Sequence, residues 1–135
     1  MPIKKKKLKF ATKTIHVGNK IDGTGATVTP LHLSSTFKQP GFSSSEKFVY
    51  SRTGGPTIDA LEENFCMLEN AKYSFAFGSG MAAISTSLLA FLNSGDHIIL
   101  QNDIYGGTRN LVEAQFSRYG IEYSFTEGLE VECFE

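Results

Sequence analysis

The chain has no tryptophan, two cysteines and four prolines in 135 residues, and no apolar run that approaches the ~20 residues a membrane-spanning helix needs. A membrane anchor is therefore not expected. Cys66 falls in a helical stretch and Cys133 near the C-terminus, so neither has CxxC or metal-ligand spacing. That excludes a disulfide framework and predicts two reduced, structural thiols. His16, His32 and His97 lie far apart, none beside a cysteine or carboxylate at ligand spacing, so no metal is predicted. The N-terminus lacks the apolar stretch and small-residue cleavage site of a secretory signal, and a transit peptide would favour Arg and Ser over lysines. A cytoplasmic protein is expected.

What is present points to a globular chain. Hydrophobic residues make up 41% and charged residues 20%, with no low-complexity tract beyond a lysine run. The net charge of -1 hides an asymmetry: Lys4, Lys5, Lys6, Lys7, Lys9 and Lys13 crowd the first thirteen residues, and the remainder is acidic. A solvated, mobile terminus is the reading of that head, with a nucleic-acid or targeting arm as the alternative.

From Thr12 to Val49 glycine, proline, serine and threonine dominate, which reads as an arm or lid rather than a core. At Thr57 the texture changes. Thr57 can cap a helix over residues 57–69 in which Leu61, Phe65 and Leu68 recur at helical spacing, with Asp59, Glu62 and Glu63 in the early turns. Strands are predicted at 73–77, 97–101 and 121–125, alternating with helices at 79–92 and 107–119. Asn93-Ser94-Gly95-Asp96 supplies turn chemistry, with Asp96 as a turn residue. This order is that of an α/β fold with a parallel sheet. Three strands make a thin sheet, and residues 127–135 do not read as a last element, so a fragment of a longer fold is expected.

Three constellations carry chemistry. The turn Phe77-Gly78-Ser79-Gly80-Met81-Ala82-Ala83 joins a strand-like run to a helix-like one, where unpartnered helix amides and glycine suit a phosphate. Its Gly78-x-Gly80-x-x-Ala83 spacing also fits a dinucleotide fingerprint, with Asp96 or Asp103 about 20 residues on. An ordinary strand-helix junction is the third reading. In Tyr50-Ser51-Arg52, followed by Gly54-Gly55-Pro56-Thr57, the Arg52 guanidinium can grip a phosphate with two hydrogen bonds and Tyr50 adds a hydroxyl. The same two residues also suit a surface arginine beside a packed tyrosine. Tyr105, in Tyr105-Gly106-Gly107-Thr108, follows the second strand at the carboxyl end, where open α/β sheets place ligands. Its ring can stack on a flat heteroaromatic group and its hydroxyl can move a proton, or it can be a packed loop residue. Thr108 and Arg109 are read as helix support without chemistry.

In order and spacing, these motifs resemble the N-terminal third of the transsulfuration enzymes. That family comprises cystathionine γ-synthase, cystathionine β- and γ-lyases, methionine γ-lyase and the O-acylhomoserine sulfhydrylases, which use pyridoxal 5'-phosphate. The resemblance starts near Thr12, takes in Thr14-Ile15-His16-Val17-Gly18 and Pro30-Leu31, and runs to about Phe125. It implies a fold-type I, aspartate-aminotransferase-like large domain, here incomplete. Residues 1–56 would be a basic tail and interface arm, and residues 57–135 the first part of the cofactor domain. It also implies cofactor binding by Tyr50, Arg52, Gly80, Met81 and Tyr105, with Tyr105 also catalytic. Tyr50 and Arg52 would reach the neighbouring subunit of a dimer or tetramer, and the substrate would be a small sulfur amino acid such as cystathionine, methionine or O-acylhomoserine.

The chain departs from the family in having Gly55 where an asparagine usually precedes Pro-Thr. The Schiff-base lysine and the acidic partner of the pyridine nitrogen come later in the family, and the last lysine here is Lys72. A chain inactive alone is expected. Two other readings stand beside it: a small NAD(P)-binding module using Gly78, Gly80 and Ala83, and a non-enzymatic interaction copy. Neither nucleic acid nor membrane is expected as a partner.

Overall fold

A computed structural model describes residues 8–17, 24–42, 46–128 and 130–134. Lys4 to Lys7 and Gly18 lie outside the described residues. The chain divides into two compact units, Met1–Ala76 and Phe77–Glu135. The compositional change at residue 57 falls inside the first of them.

The first unit opens with helix α1, Phe10–His16. Its amphipathic signal is too short to stand out in a threonine- and lysine-rich segment, and it is held by tertiary bonds. Lys13 Nζ donates to the Met67 carbonyl at 2.9 Å, and Asn64 Nδ2 donates to the Val17 carbonyl at 3.3 Å. An extended segment then returns on itself, with Phe37 N–H bonded to Val49 O at 3.0 Å and Ser51 N–H to Ser35 O at 2.9 Å. Phe37 and Phe48 pack ring to ring at 5.6 Å inside that ladder.

Helix α2 spans Pro56–Leu68. Proline at the first helical position has its φ preset and no amide to leave unpaired. Thr57 is not the cap: the N-cap is Gly55, which has no side chain to offer, and the Thr57 hydroxyl accepts the His32 amide at 2.9 Å instead. The helix ends at Asn70, φ 54°, with Ala71 N–H returning to Cys66 O at 2.8 Å, the six-to-one bond of a left-handed C-terminal cap. The predicted stripe of Leu61 and Phe65 remains half-exposed, and Ala60 is the buried residue.

Residues 73–77 do not form a strand. Exposure does alternate along them, but among the described residues no neighbouring strand completes a ladder, and the Ala76 amide is met by the Glu62 carboxylate at 2.9 Å. A backbone run with strand propensity stays irregular when nothing pairs with it.

The second unit is an α/β element. Helix α3, Gly80–Phe91, leads to strand β1, His97–Gln101; helix α4, Gly106–Gln115, then leads to strand β2, Glu122–Thr126. The strands pair in parallel, His97 opposite Glu122 through Gln101 opposite Thr126. Helix α4 passes into a 3-10 turn, Phe116–Tyr119, which Gly120 ends at φ 71°. Val112, Phe116 and Ile121 form the buried centre, with Leu88, Leu92, Ile98, Leu100, Leu111, Tyr123 and Phe125 packed round it. At the other end of the strands Asp96 Oδ2 accepts the Asn93 amide at 2.7 Å, which bears out its reading as a turn residue. No helix among the described residues is long and apolar enough to cross a membrane.

Candidate functional site

The candidate residues of the second unit meet at the first turn of α3. Ser79 is extended (φ -158°, ψ 159°) and its hydroxyl accepts the Ala82 amide at 3.1 Å, while its carbonyl accepts the Ala83 amide at 3.1 Å. Among the described residues no hydrogen bond takes up the amides of Gly80 and Met81. A Cβ placed on Gly78 or Gly80 would meet no atom within 4 Å. Two unpartnered amides at the positive end of a helix, with room at the glycines beside them, suit an anion.

Tyr105 stands beside that cradle. It is the N-cap of α4, just past the carboxyl end of β1, and is 69% exposed. Its carbonyl accepts the amides of Thr108 at 2.9 Å and Arg109 at 3.1 Å, so the backbone is held while the ring is left accessible. Gly107 shows how close the ring comes to α3: a Cβ there would lie 2.6 Å from Tyr105 Cε1 and 2.9 Å from Met81 Sδ. Ring and thioether converge over a residue that has no room for a side chain. Gly80, Met81 and Tyr105 are thus gathered in one place, where a phosphate could meet the amides and a flat ring could meet the tyrosine.

Tyr50 and Arg52 form a second group, within the first unit. Tyr50 pairs with Thr36 in an isolated bridge, and its carbonyl accepts both the Thr53 amide at 2.9 Å and the Thr53 hydroxyl at 2.8 Å. The Arg52 guanidinium carbon lies 4.8 Å from the centroid of the Tyr50 ring. Tyr50 is half-buried and Arg52 exposed, so the pair combines a fixed ring with a charge held above it. Gly54 follows at φ 145°, then Gly55 in extended backbone.

Three residues act here to which sequence reasoning assigns no part in the site, Arg109 reading only as helix support. Ser79 caps α3, a role its small hydroxyl before a helical run signals. Gly107 admits the ring, and Arg109 reaches the loop that precedes Tyr105. Those two roles depend on neighbours distant in sequence. The dinucleotide reading loses its context, since the segment before Gly78 is not in a sheet and the Asp96 carboxylate is engaged in its own turn.

The family model described as Cys/Met metabolism PLP-dependent enzyme matches residues 11–135. Cystathionine beta-lyase MetC of Bacillus subtilis is 45% identical over 117 residues, covering 86% of this chain and 30% of that protein. Cystathionine gamma-synthase of Mycobacterium tuberculosis is 42% identical over 116 residues, with 84% and 30% covered. Among solved structures, metB from Corynebacterium glutamicum superposes with a TM-score of 0.88 at 41% identity, covering 93% of this chain and 33% of that one. Cystathionine gamma-lyase from Lactobacillus plantarum, in complex with L-serine, gives 0.86 at 39% identity, covering 94% and 33%. The chain therefore spans about a third of the length of these relatives.

Proposed function

The chain belongs to the pyridoxal-phosphate-dependent enzymes of cysteine and methionine metabolism, and from that premise we propose that it carries the phosphate-gripping and ring-stacking part of a transsulfuration enzyme's cofactor site. The observation that carries the reading is the unpartnered pair of amides at Gly80 and Met81 with the exposed Tyr105 ring beside them. The donor set fits the group: two amides and a helix dipole for a phosphate, an aromatic face for a pyridine ring.

Pyridoxal phosphate, when bound, supplies an electron sink for carbanion chemistry at an amino acid. The chain's own residues do the rest of what is proposed here. The Gly80 and Met81 amides hold the phosphate without titrating themselves, so the pH dependence of the grip near neutrality is that of the phosphate's own second ionisation. Tyr105 orients the ring, and its hydroxyl holds a proton within reach of a departing group. Arg52 donates two parallel hydrogen bonds to a phosphate and Tyr50 adds a third donor, in this reading to the site of a neighbouring subunit in a dimer or tetramer. Residues 1–56 then act as the interface arm and residues 57–135 as the first part of the cofactor domain.

The reaction class is β- or γ-elimination, or γ-replacement, on a small sulfur amino acid such as cystathionine, methionine or O-acylhomoserine. Cytoplasmic placement belongs to the same proposal, supported by Cys66 and Cys133 as free thiols. These 135 residues by themselves do not turn over substrate in this reading, because no lysine follows Lys72. The test is an absorbance titration of the chain with pyridoxal phosphate, then borohydride trapping and mass spectrometry. Weak binding that Tyr105→Ala loosens, with no single-site adduct, is the expected result. A stoichiometric adduct at one lysine together with turnover of cystathionine or O-acylhomoserine would overturn it.

A further inference from the structure

We propose that Arg109 is a positioning residue for Tyr105, a role that gains its functional meaning from the cofactor reading above but is read from the loop itself. The four residues 102–105 leave β1 and deliver the tyrosine to the head of α4, and Arg109 holds both ends of them. Its backbone amide donates to the Tyr105 carbonyl at 3.1 Å. Its side chain turns back to the other end, where Nη2 donates to the Asn102 carbonyl at 2.5 Å and also to Asn102 Oδ1.

The remaining contacts hold the guanidinium in that place. Its carbon lies 4.0 Å from the centroid of the Phe125 ring on β2, and Nη1 bonds Glu113 Oε1 one turn further along α4 at 3.0 Å. Asn102 is anchored in turn: its amide donates to Thr126 O at 2.7 Å and its Nδ2 to Glu127 Oε1 at 2.9 Å. The asparagine presents oxygen to the cation and nitrogen to the carboxylate, the polarity that satisfies both. One half-buried arginine therefore fastens the start of α4 to the carboxyl ends of both strands. A planar fork that also stacks is needed for this, and lysine offers neither property.

The consequence falls on the ring. Tyr105 is 69% exposed, and its ring and Met81 Sδ both lie close to the space at Gly107, so most of the ring surface has no packing to fix it. If the loop is free to shift, the ring leaves its place beside the first turn of α3. Held by Arg109, it is preorganised for a flat ligand, which lowers the ordering cost of binding.

The experiment uses the 135-residue chain and three variants, Arg109→Lys, Asn102→Ala and Glu113→Gln, with Tyr105→Ala as reference. The direct readout is the nuclear Overhauser contact between the Tyr105 ring and the Met81 methyl, which requires no cofactor. The second is the dissociation constant for pyridoxal phosphate. Arg109→Lys and Asn102→Ala are expected to lose the ring contact and to weaken binding by about tenfold, the scale of a lost charge-assisted hydrogen bond, while Glu113→Gln, whose amide oxygen still accepts from Nη1, keeps the guanidinium in place and with it both readouts. Retention of the contact at full intensity in Arg109→Lys overturns the proposal, as does a lowered melting temperature with the contact intact. If Arg109→Lys does not fold, Asn102→Ala decides by the same criteria. Loss of the contact with affinity unchanged, in a chain whose affinity Tyr105→Ala also leaves unchanged, supports the positioning role and removes the cofactor reading instead.

Discussion

Ser79 Oγ accepts the amide of Ala82 at 3.1 Å, and this single bond selects which amides of α3 remain for an anion. The third amide of the helix is used by the protein. The first two, on Gly80 and Met81, are left without a hydrogen bond among the described residues.

This division separates stability from binding. Ser79→Ala is expected to cost about 1 kcal/mol through loss of the cap. Ser79→Asp should restore that stability, because aspartate caps as well as serine does. It also sets a negative charge beside the two free amides, so binding of pyridoxal phosphate or inorganic phosphate should fall by at least about tenfold. Thermal denaturation and a phosphate titration on the same samples check both halves. Unchanged phosphate affinity in Ser79→Asp would remove the α3 cradle from the account.

Gly107 makes a second separation possible. A methyl there would lie 2.6 Å from Tyr105 Cε1 and 2.9 Å from Met81 Sδ, closer than packed atoms come. Gly107→Ala is expected to destabilise by about 1–3 kcal/mol, the range of overpacking, and to push the ring outward. Met81→Ala removes one of the two obstacles, so the double variant should cost less than the two single changes added together. A double-mutant cycle by denaturant unfolding measures this coupling, and strict additivity would show that the three residues do not share the space.

These devices were unequally legible in the sequence. The turn at Gly78 to Ala83, helix α3 and both strands of the sheet could be read because caps, periodicity and turn residues are local. Thr57 was misread for a nonlocal reason: it has the chemistry of a cap, but its hydroxyl is taken by the amide of His32, 25 residues earlier. Residues 73–77 have strand propensity and alternation, yet a strand exists only with a partner. Arg109 looked like helix support because Asn102 and Phe125, which give it work, are brought to it only by the parallel pairing of β1 and β2.

The centre of the second unit should be as sensitive as its few buried residues suggest. Phe116 and Val112 are fully buried, whereas Phe91 is 84% exposed. Phe116→Ala should cost about 3–5 kcal/mol, a large part of what holds so small a unit, and Phe91→Ala within about 0.5 kcal/mol of nothing. Loss of dispersed methyl signals from residues 98–125 in the first variant and their retention in the second is the expected spectrum. Equal tolerance of both would mean that Val112, Phe116 and Ile121 are not the core.

Gly55 yields a change in the opposite direction. This residue is the N-cap of α2, in extended backbone at φ -175°, and a Cβ there would meet only Phe37 Cζ, at an ordinary 3.8 Å. An asparagine can therefore be accommodated, and its side-chain oxygen can accept an amide of the first turn that Pro56 does not supply. Gly55→Asn is expected to stabilise by a few tenths of a kcal/mol, or about 1–3 °C in melting temperature. Gly54, its neighbour, stands at φ 145°, where side chains are strained, so Gly54→Asn should instead cost about 1–3 kcal/mol. The pair is a strict test because the two positions are adjacent and take the same substitution, one at the N-cap in extended backbone and the other before it at positive φ. If both variants melt lower, asparagine at the N-cap does not stabilise α2, and the loop bearing Tyr50 and Arg52 is held by the ladder at Ser35 to Ser51 instead.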